Sequence, residues 1–466
     1  MYFYQMKNIA IVGGGLVGSL MSIYLAKRGL DVTVYEKRAD ARFSEMVGGR
    51  SINLALSNRG WSALEKVGVA DQIKDMVIPM NGRMIHNLDG SLAFQAYGKE
   101  DEAIYSISRG GLNNVLDNYA IALPNVEYIY ETALLNADVR KGALHFQNTK
   151  TKEKFEVSPD VIIGADGAYS KVRAALQKRK RFNYEQSFLD HGYKELSIPP
   201  GPKGEWQIEK NALHIWPRRS FMLIALPNLD GSFTVTLFLA FEGEDSFENL
   251  KTPEAVLAFF KEEFPDTLEL MPDLTKDFFE NPTDALVTIK CDPWTYDDKF
   301  ILMGDASHAI VPFYGQGMNS GFEDCKVFDE IIEEYFVDGE MDVPAICKKF
   351  QTVRKEDGDA IAELALKNFI EMRDSVADEL FLLRKKIEKY LQKKYPTLFI
   401  PTYSLVTFTE SVRYSDALKR GKIQDELFSE FMKIEDIQNK WDNGQLETEL
   451  ESFVKDYQER LEMSEK

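Results

Sequence analysis

Ile9 to Arg38 reads IAIVGGGLVGSLMSIYLAKRGLDVTVYEKR, and the fold class turns on this stretch. An apolar run from Lys7 to Val12 gives way to a glycine turn, Gly13 to Gly18. Helical spacing then carries Ser19 to Arg28 and stops at Gly29, and a second apolar run fills Val32 to Tyr35. This is one strand-helix-strand unit. Gly13, Gly15 and Gly18 fall in G-x-G-x-x-G spacing, which permits a tight turn, close approach of backbone to a pyrophosphate, and close packing of helix on strand. Glu36 lies 18 residues after Gly18, at the end of the second strand. A carboxylate there accepts hydrogen bonds from both ribose hydroxyls of an adenosine and repels a 2′-phosphate. The pattern predicts a Rossmann-like dinucleotide site, with NAD and FAD both compatible.

Two later stretches narrow the choice. VIIGADGAYSKVR, Val161 to Arg173, reads as a buried strand, Val161 to Gly164, followed by an Asp166-Gly167 turn beside Ser170 and Arg173. A simple dehydrogenase gains nothing from a second strand-turn so late in the chain. ILMGDASHAIVPFYGQGMNSGFEDC, Ile301 to Cys325, runs a strand, Ile301 to Met303, into Asp305. It then sets Gly315, Gly317 and Gly321 around Gln316, Met318 and Asn319 just before a helix. Asp305 suits the hydroxyls of a ribityl chain, and the helix start offers free N–H groups where negative charge collects. A reduced flavin is anionic along its N1 and C2-carbonyl edge, so these residues point to FAD and its flat ring.

Bulk properties set limits on partners. At 466 residues the chain exceeds what one core usually serves. A net charge of -19 argues against nucleic acid, so any phosphate site has to be local. Cys291, Cys325 and Cys347 are too few and too scattered for a disulfide scaffold or a metal site, and they fit a reducing cytoplasm. The start, MYFYQMKNIAIVGGG, lacks the layout of a signal peptide, and nowhere do 18 consecutive apolar residues occur, so no membrane span is expected. Between Gln207 and Phe241 the pattern becomes alternating, with Pro-Asn-Leu-Asp-Gly separating two strands of an antiparallel sheet. From about Val343 the chain is nearly all helical, and Thr409 to Lys466 is charged and amphipathic. Without repeats or low-complexity linkers, the units are expected to be intertwined.

The glycine turn with Glu36, GADGAYSKVR, and GDASHAIVPFYGQGMNSGFED resemble the single-component FAD-dependent aromatic hydroxylases. GRSINLALS, RMIH, HGYKELSIP, NALHIWPR, LPNLDGSFTVTLF, NFIEMR and FIPTYSLVTF resemble, more narrowly, the members of that family that act on kynurenine. The similarity runs from about Lys7 to Arg420. It implies an α/β fold: a Rossmann-like, glutathione-reductase-like FAD-binding domain (1–80, 105–180, 298–365) intertwined with an antiparallel-sheet substrate domain (81–104, 181–297), then a helical C-terminal region (366–466). Beside the glycines Gly13, Gly15, Gly18 and Gly317, the resemblance assigns Val17, Tyr35, Glu36, Lys37 and Arg38 to the adenosine end of FAD. It sets Ala55, Arg109 and Leu134 along the path, and Asp305, Met318 and Asn319 against the ribityl chain and ring. Arg83, Tyr97, Asn368 and Tyr403 would grip L-kynurenine, with Phe313 near its ring.

The chemistry of those residue types agrees. Arg83 presents a planar fork that matches a carboxylate, and Tyr97 or Tyr403 adds a phenol donor. The resemblance further implies NADPH as a transient co-substrate, O2, and a flavin C4a-hydroperoxide whose distal oxygen moves to the ring carbon beside the aromatic amine. Such a species requires a pocket that closes and excludes water. That amine already activates its ortho carbon, so no catalytic acid or base is expected, and His191, His214 and His308 are read as structural. Membrane-bound relatives end in an apolar anchor; here the charged tail is expected to cap the pocket or to mediate self-association as a homodimer. Two alternatives stay open: a hydroxylase of the same architecture on another aromatic acid, and a non-catalytic flavin-binding redox sensor. The sensor has no use for a carboxylate clamp.

Overall fold

The computed structural model describes residues 8–40, 42, 53–99, 102–337, 340–372 and 379–464. Lys7, the Gly49 to Ile52 part of GRSINLALS, and Arg373 of NFIEMR lie outside them.

Five parallel strands run in the order Phe300–Leu302, Val161–Gly164, Ile9–Val12, Val32–Tyr35 and Val126–Ile129, with Thr295–Tyr296 as an antiparallel edge. Ile9–Val12 and Val161–Gly164 are buried at every position, as expected of a parallel sheet covered on both faces. The helix after the glycine turn spans Leu16–Lys27, three residues earlier than the sequence pattern predicts. Gly15 is its extended N-cap, and Gly18 already sits inside the first turns. A Cβ on Gly18 would lie 1.9 Å from the Gly13 carbonyl oxygen, so that glycine serves packing rather than the turn. The third motif's strand likewise begins one residue early, at Phe300.

The second large sheet has seven strands in the order Thr283–Asp292, Asn183–Ile198, Phe233–Ala240, Phe221–Pro227, Leu213–Arg218, Gly82–His86 and Leu92–Ala96. Phe221–Pro227 and Phe233–Ala240 form the expected hairpin, closed by the Asn228 N–H on the Ser232 carbonyl at 2.8 Å. One junction is parallel: Gly82–His86 runs beside Leu213–Arg218, setting Arg83 opposite Leu213. A three-stranded sheet of Asn53–Leu56, Ile104–Ser108 and Val77–Met80 bridges the two large ones. The chain passes from it into Gly82–His86 after a single residue, Asn81, which fixes the direction of that strand.

Each face of the seven-stranded sheet has its own core. Leu196, Trp216, Leu223 and Val235 pack under the helices Pro253–Glu263 and Leu274–Glu280. Ile85, Ile215, Met222 and Phe238 instead meet Phe313, Tyr314, Ile361 and Leu405. The candidate site lies on this second face. The C-terminal helices Glu379–Lys394, Tyr414–Phe431 and Glu447–Ser464 share a further cluster, in which Ile387 and Leu391 pack with Phe428 and Phe453. No described helix is long and apolar enough to cross a membrane.

Candidate active site

The three motifs meet at one sheet edge because their strands are parallel and in register. Val12 pairs with both Tyr35 and Gly164, and Gly164 pairs with Leu302. Gly13, Glu36, Ala165 and Met303 are therefore each the first residue beyond the ladder. Their backbones are tied together: Gly13 N–H to the Tyr35 carbonyl at 2.9 Å, Ala165 N–H to the Val12 carbonyl at 2.9 Å, and Met303 N–H to the Gly164 carbonyl at 3.0 Å. Gly13 has φ +104°, and a Cβ there would lie 2.5 Å from the Ala165 oxygen. In open α/β sheets this carboxyl edge is where ligands bind.

Glu36 is buried and faces the glycine turn, accepting from Gly14 N–H at 2.8 Å and from Arg38 Nε at 2.8 Å. Burial works to raise its pKa, but Arg38 and the Gly14 amide hold it below the usual carboxylate range. It stays ionised at neutral pH. Tyr35 stacks on Phe146 with ring centres 4.3 Å apart, and Phe146 pairs across the strands with Leu134. Lys37 is exposed. Arg109, also exposed, starts the helix Arg109–Ile121, and its charge opposes the burial-driven rise of Glu195 to about 7. Asp117, Asn113 and Tyr128 also gather behind Glu36. Asn113 Nδ2 donates to Asp117 at 2.9 Å and to the Gly14 carbonyl at 3.3 Å. In the sequence these residues carry no signal, since a helical Asn-x-x-x-Asp pair resembles any solvated face.

At the other end, Gly304 has φ +57° and is followed by exposed Asp305, the first residue of the short helix Asp305–His308. Val17 wedges between Gly304 and Gly321; a Cβ on either would lie 2.9 Å or 2.6 Å from Val17 Cγ2. Asn319 is buried and its side chain is engaged within the protein. Oδ1 accepts from Ser57 N–H at 3.0 Å, and Nδ2 donates to the Ala55 and Gly315 carbonyls at 2.9 and 2.8 Å. Ala55, Gly315 and Asn319 are thus one unit, with Met318 and Gly317 partly exposed beside it.

Helix capping gives a test of fit to FAD. The helices Lys171–Leu176 and Arg109–Ile121 are capped by the side chains of Ser170 and Ser108. The helices Leu16–Lys27 and Gly317–Tyr335 have no side-chain cap among the described residues. Their first-turn N–H groups have no acceptor within the helix, and a Cβ on Gly15 would meet nothing beyond its chain neighbours within 4 Å. Two uncapped helix starts at one sheet edge suit a molecule with a pyrophosphate and an anionic ring edge, so the residues fit the group.

The proposed clamp residues come together from four parts of the chain. Arg83 Cζ lies 4.7 Å from the Tyr403 ring centre and 5.6 Å from that of Tyr97. The Tyr403 ring is nearly parallel to Tyr97, at 5.3 Å and 11°, and to Tyr314, at 5.4 Å and 16°. Arg83 and Tyr97 are partly exposed as residues, yet Arg83 Nε and the Tyr97 hydroxyl are shielded and have no hydrogen-bond partner. Burial pushes the Tyr97 phenol well above its ordinary range, so it remains a donor. Phe313 stacks on Phe369 at 4.2 Å and leans on Phe238 at 4.9 Å. Asn368, on the helix Val343–Ile370, donates to the Phe313 carbonyl at 2.6 Å and to Met372 Sδ at 3.2 Å. Tyr314 belongs to this wall as well.

The histidines have internal partners. His308 Nε2 lies 2.6 Å from Asp324 Oδ2, His191 Nε2 lies 2.7 Å from the Ser220 carbonyl, and His214 sits between His86 and the Glu209 carbonyl. Burial takes His214 down to about 4, so it is neutral near pH 7. A groove of about 890 Å³ lies elsewhere, between Asn183, Lys290 and the helix Val343–Ile370. It contains none of the clamp residues, and Lys355, Lys419 and Lys422 along it are paired with carboxylates.

This fold is that of the flavin-dependent aromatic hydroxylases. A family profile described as FAD binding domain matches residues 6–329. Among solved structures, 2-methyl-3-hydroxypyridine-5-carboxylic acid oxygenase superposes with a TM-score of 0.65 at 21% identity, covering 84% of this chain and 98% of that one. PqsL of P. aeruginosa superposes with a TM-score of 0.63 at 16% identity, covering 79% and 97%. Kynurenine 3-monooxygenase of Flavobacterium psychrophilum is 49% identical over 95% of this chain and 98% of its own length. The enzymes of that name from Dictyostelium discoideum and Sus scrofa are 47% and 44% identical, over 93% and 91% of this chain and 95% and 88% of theirs. The chain belongs to the kynurenine 3-monooxygenase family.

Proposed function

We propose that this protein hydroxylates L-kynurenine to 3-hydroxykynurenine with FAD, NADPH and O2, in tryptophan degradation and the quinolinate route to NAD. The observation that carries the proposal is the Arg83 clamp. A shielded guanidinium N–H and a shielded phenol O–H without acceptors are costly to keep unless a ligand satisfies them. An α-amino acid carboxylate supplies two oxygens of the right charge.

FAD, when bound, would supply the oxygen chemistry, with NADPH as the reductant. The chain's own residues do the rest. Arg83, Tyr97 and Tyr403 hold the carboxylate, and Asn368 fixes the Phe313 loop through its carbonyl. The Phe238, Phe313 and Phe369 rings keep water from the aromatic end of the pocket. Glu36 and Asp305 take the sugar hydroxyls, and the uncapped starts of Leu16–Lys27 and Gly317–Tyr335 face the negative charge. No side chain need remove a proton for oxygen transfer, because the substrate's ring amine activates its neighbouring carbon. The preference for NADPH over NADH rests on the family resemblance alone, since an ionised Glu36 serves the FAD adenosine.

In this reading the six-stranded sheet and its helices form the FAD-binding domain and the seven-stranded sheet the substrate domain, with residues 366–466 as the helical region. The three cysteines are free and buried, which accords with a reducing cytoplasm. The working assembly we propose is a homodimer.

The test is steady-state NADPH oxidation by the yellow holoenzyme. Kynurenine should raise the rate steeply, with hydroxylated product in proportion. Stimulation without product would mean a different aromatic acid is the substrate, and bound flavin without stimulation would favour a non-catalytic sensor.

A further inference from the structure

Arg59 is fully buried, and its side chain turns toward main-chain oxygens of the C-terminal region. Nε donates to the Val406 carbonyl at 2.8 Å, and Nη2 to the Leu405 and Thr409 carbonyls at 3.3 Å each and, more closely, to that of Val412. Leu405 and Val406 lie in the last turn of the helix Thr402–Thr407, whose final carbonyls have no partner within the helix. Arg59 therefore caps the helix that carries Tyr403, and a cation there also suits the helix dipole. Next to it, Asn58 Nδ2 donates to the Phe408 carbonyl at 3.1 Å.

The other end of Arg59 is fixed on the flavin side. Nη1 pairs with Glu323, which lies on the helix Gly317–Tyr335 and also pairs with Arg354 at 2.7 Å. The guanidinium lies 4.0 Å above the Tyr414 ring, and the Tyr414 hydroxyl donates to Gln316, the N-cap residue of that same helix, at 2.9 Å. Two residues before Arg59, the chain is pinned by Asn319 through Ser57. One guanidinium thus joins the helix Gly317–Tyr335 to the helix that carries Tyr403.

We propose that Arg59 is a positioning residue that sets the substrate clamp relative to the flavin edge through Tyr403. The idea rests on the clamp assigned above. A lysine retains the charge but cannot serve four carbonyls and a carboxylate, so Arg59→Lys releases the helix while keeping a cation.

Two measurements on the FAD-loaded enzyme decide it. In Arg59→Lys, amide hydrogen exchange should speed up within residues 402–412 and stay unchanged in the strands of the FAD sheet. Kynurenine binding, read as a perturbation of the flavin spectrum, should weaken on the order of 10- to 100-fold with FAD content unaltered. The double variant Arg59→Lys, Tyr403→Phe should bind no more weakly than the worse of the two single variants. Unchanged exchange at 402–412, a uniform rise throughout the protein, or additive losses in the double variant would overturn the coupling. The exchange measurement needs no substrate. Faster exchange in 402–412 together with no kynurenine binding by the unaltered enzyme would support the coupling and overturn the assigned function.

Discussion

The guanidinium of Arg83 lies 4.7 Å from the centre of the Tyr403 ring, although one residue sits in a sheet strand and the other on a helix near the far end of the chain. With the shielded Tyr97 hydroxyl beside it, this contact makes a cationic corner lined by aromatic faces. Removing the cation by Arg83→Ala should weaken kynurenine binding by about 2–5 kcal/mol, the range for a buried charge partner. Tyr97→Phe should cost about 0.5–1.5 kcal/mol, as for one neutral hydrogen bond. Both variants should retain FAD, and a titration followed by flavin absorbance checks both; loss of flavin from Arg83→Ala would show that Arg83 belongs to the cofactor site instead.

The two glycines of the first turn should fail differently. Gly18→Ala drives a methyl into the Gly13 oxygen, so its thermal midpoint should fall with or without FAD. Gly15→Ala meets no protein atom within 4 Å, so the apoprotein should unfold at the wild-type temperature while FAD affinity drops. Calorimetry of apo and loaded forms separates the two. Equal apoprotein destabilisation in both variants would refute the assignment of the open side of Gly15 to the pyrophosphate.

Asp117 gives a pH signature. Burial pushes it from 3.8 up to about 6, with the Ser19 hydroxyl and the Arg38 charge opposing. The folded state holds this proton more tightly than the unfolded chain, so ionising the group costs stability as pH rises from about 4 to about 6, and the cost is complete above that. Asp117→Asn should therefore stabilise the protein at about pH 8 by on the order of 2 kcal/mol, and by almost nothing near pH 4. Urea unfolding at the two pH values tests the difference.

Asp324 behaves in the opposite sense. Burial would raise it, but His308, the Arg354 guanidinium and the Gly304 N–H at 2.9 Å hold it below the ordinary carboxylate range. Its contribution is present above the unfolded value near 3.8 and is lost as pH falls through the lower folded value. Asp324→Asn leaves Arg354 short of a buried counter-charge and should cost about 3–5 kcal/mol. Because the same carboxylate holds the Gly304 turn, FAD affinity should fall as well. A flavin affinity equal to that of wild type would remove Asp324 from the account of that turn.

The local elements of the fold were legible and its long-range joins were not. Val161–Gly164, the hairpin around Asn228, and the strand Val32–Tyr35 that ends at Glu36 depend on runs of a few residues, and the structure has them where the pattern sets them. The helix Leu16–Lys27 starts early because Gly18, counted as part of the turn, is a packing glycine within the helix. The parallel join of Arg83 to Leu213 depends on the direction in which a distant strand enters, which periodicity does not encode. Asn319 is expected from the sequence to contact the ring, but its amide is used on Ser57, Ala55 and Gly315, contacts that no spacing announces. Arg59 was invisible for a related reason. Most of its acceptors are main-chain carbonyls, which any residue can supply.

Whether the protein inserts oxygen from O2 into kynurenine is decided by incubating the FAD-loaded enzyme with NADPH, kynurenine and heavy-oxygen-labelled dioxygen, followed by mass spectrometry of the product. The expected product is 3-hydroxykynurenine carrying one labelled oxygen atom, formed in step with NADPH consumed. Unlabelled product, or NADPH consumption that yields only hydrogen peroxide with kynurenine recovered intact, would contradict it.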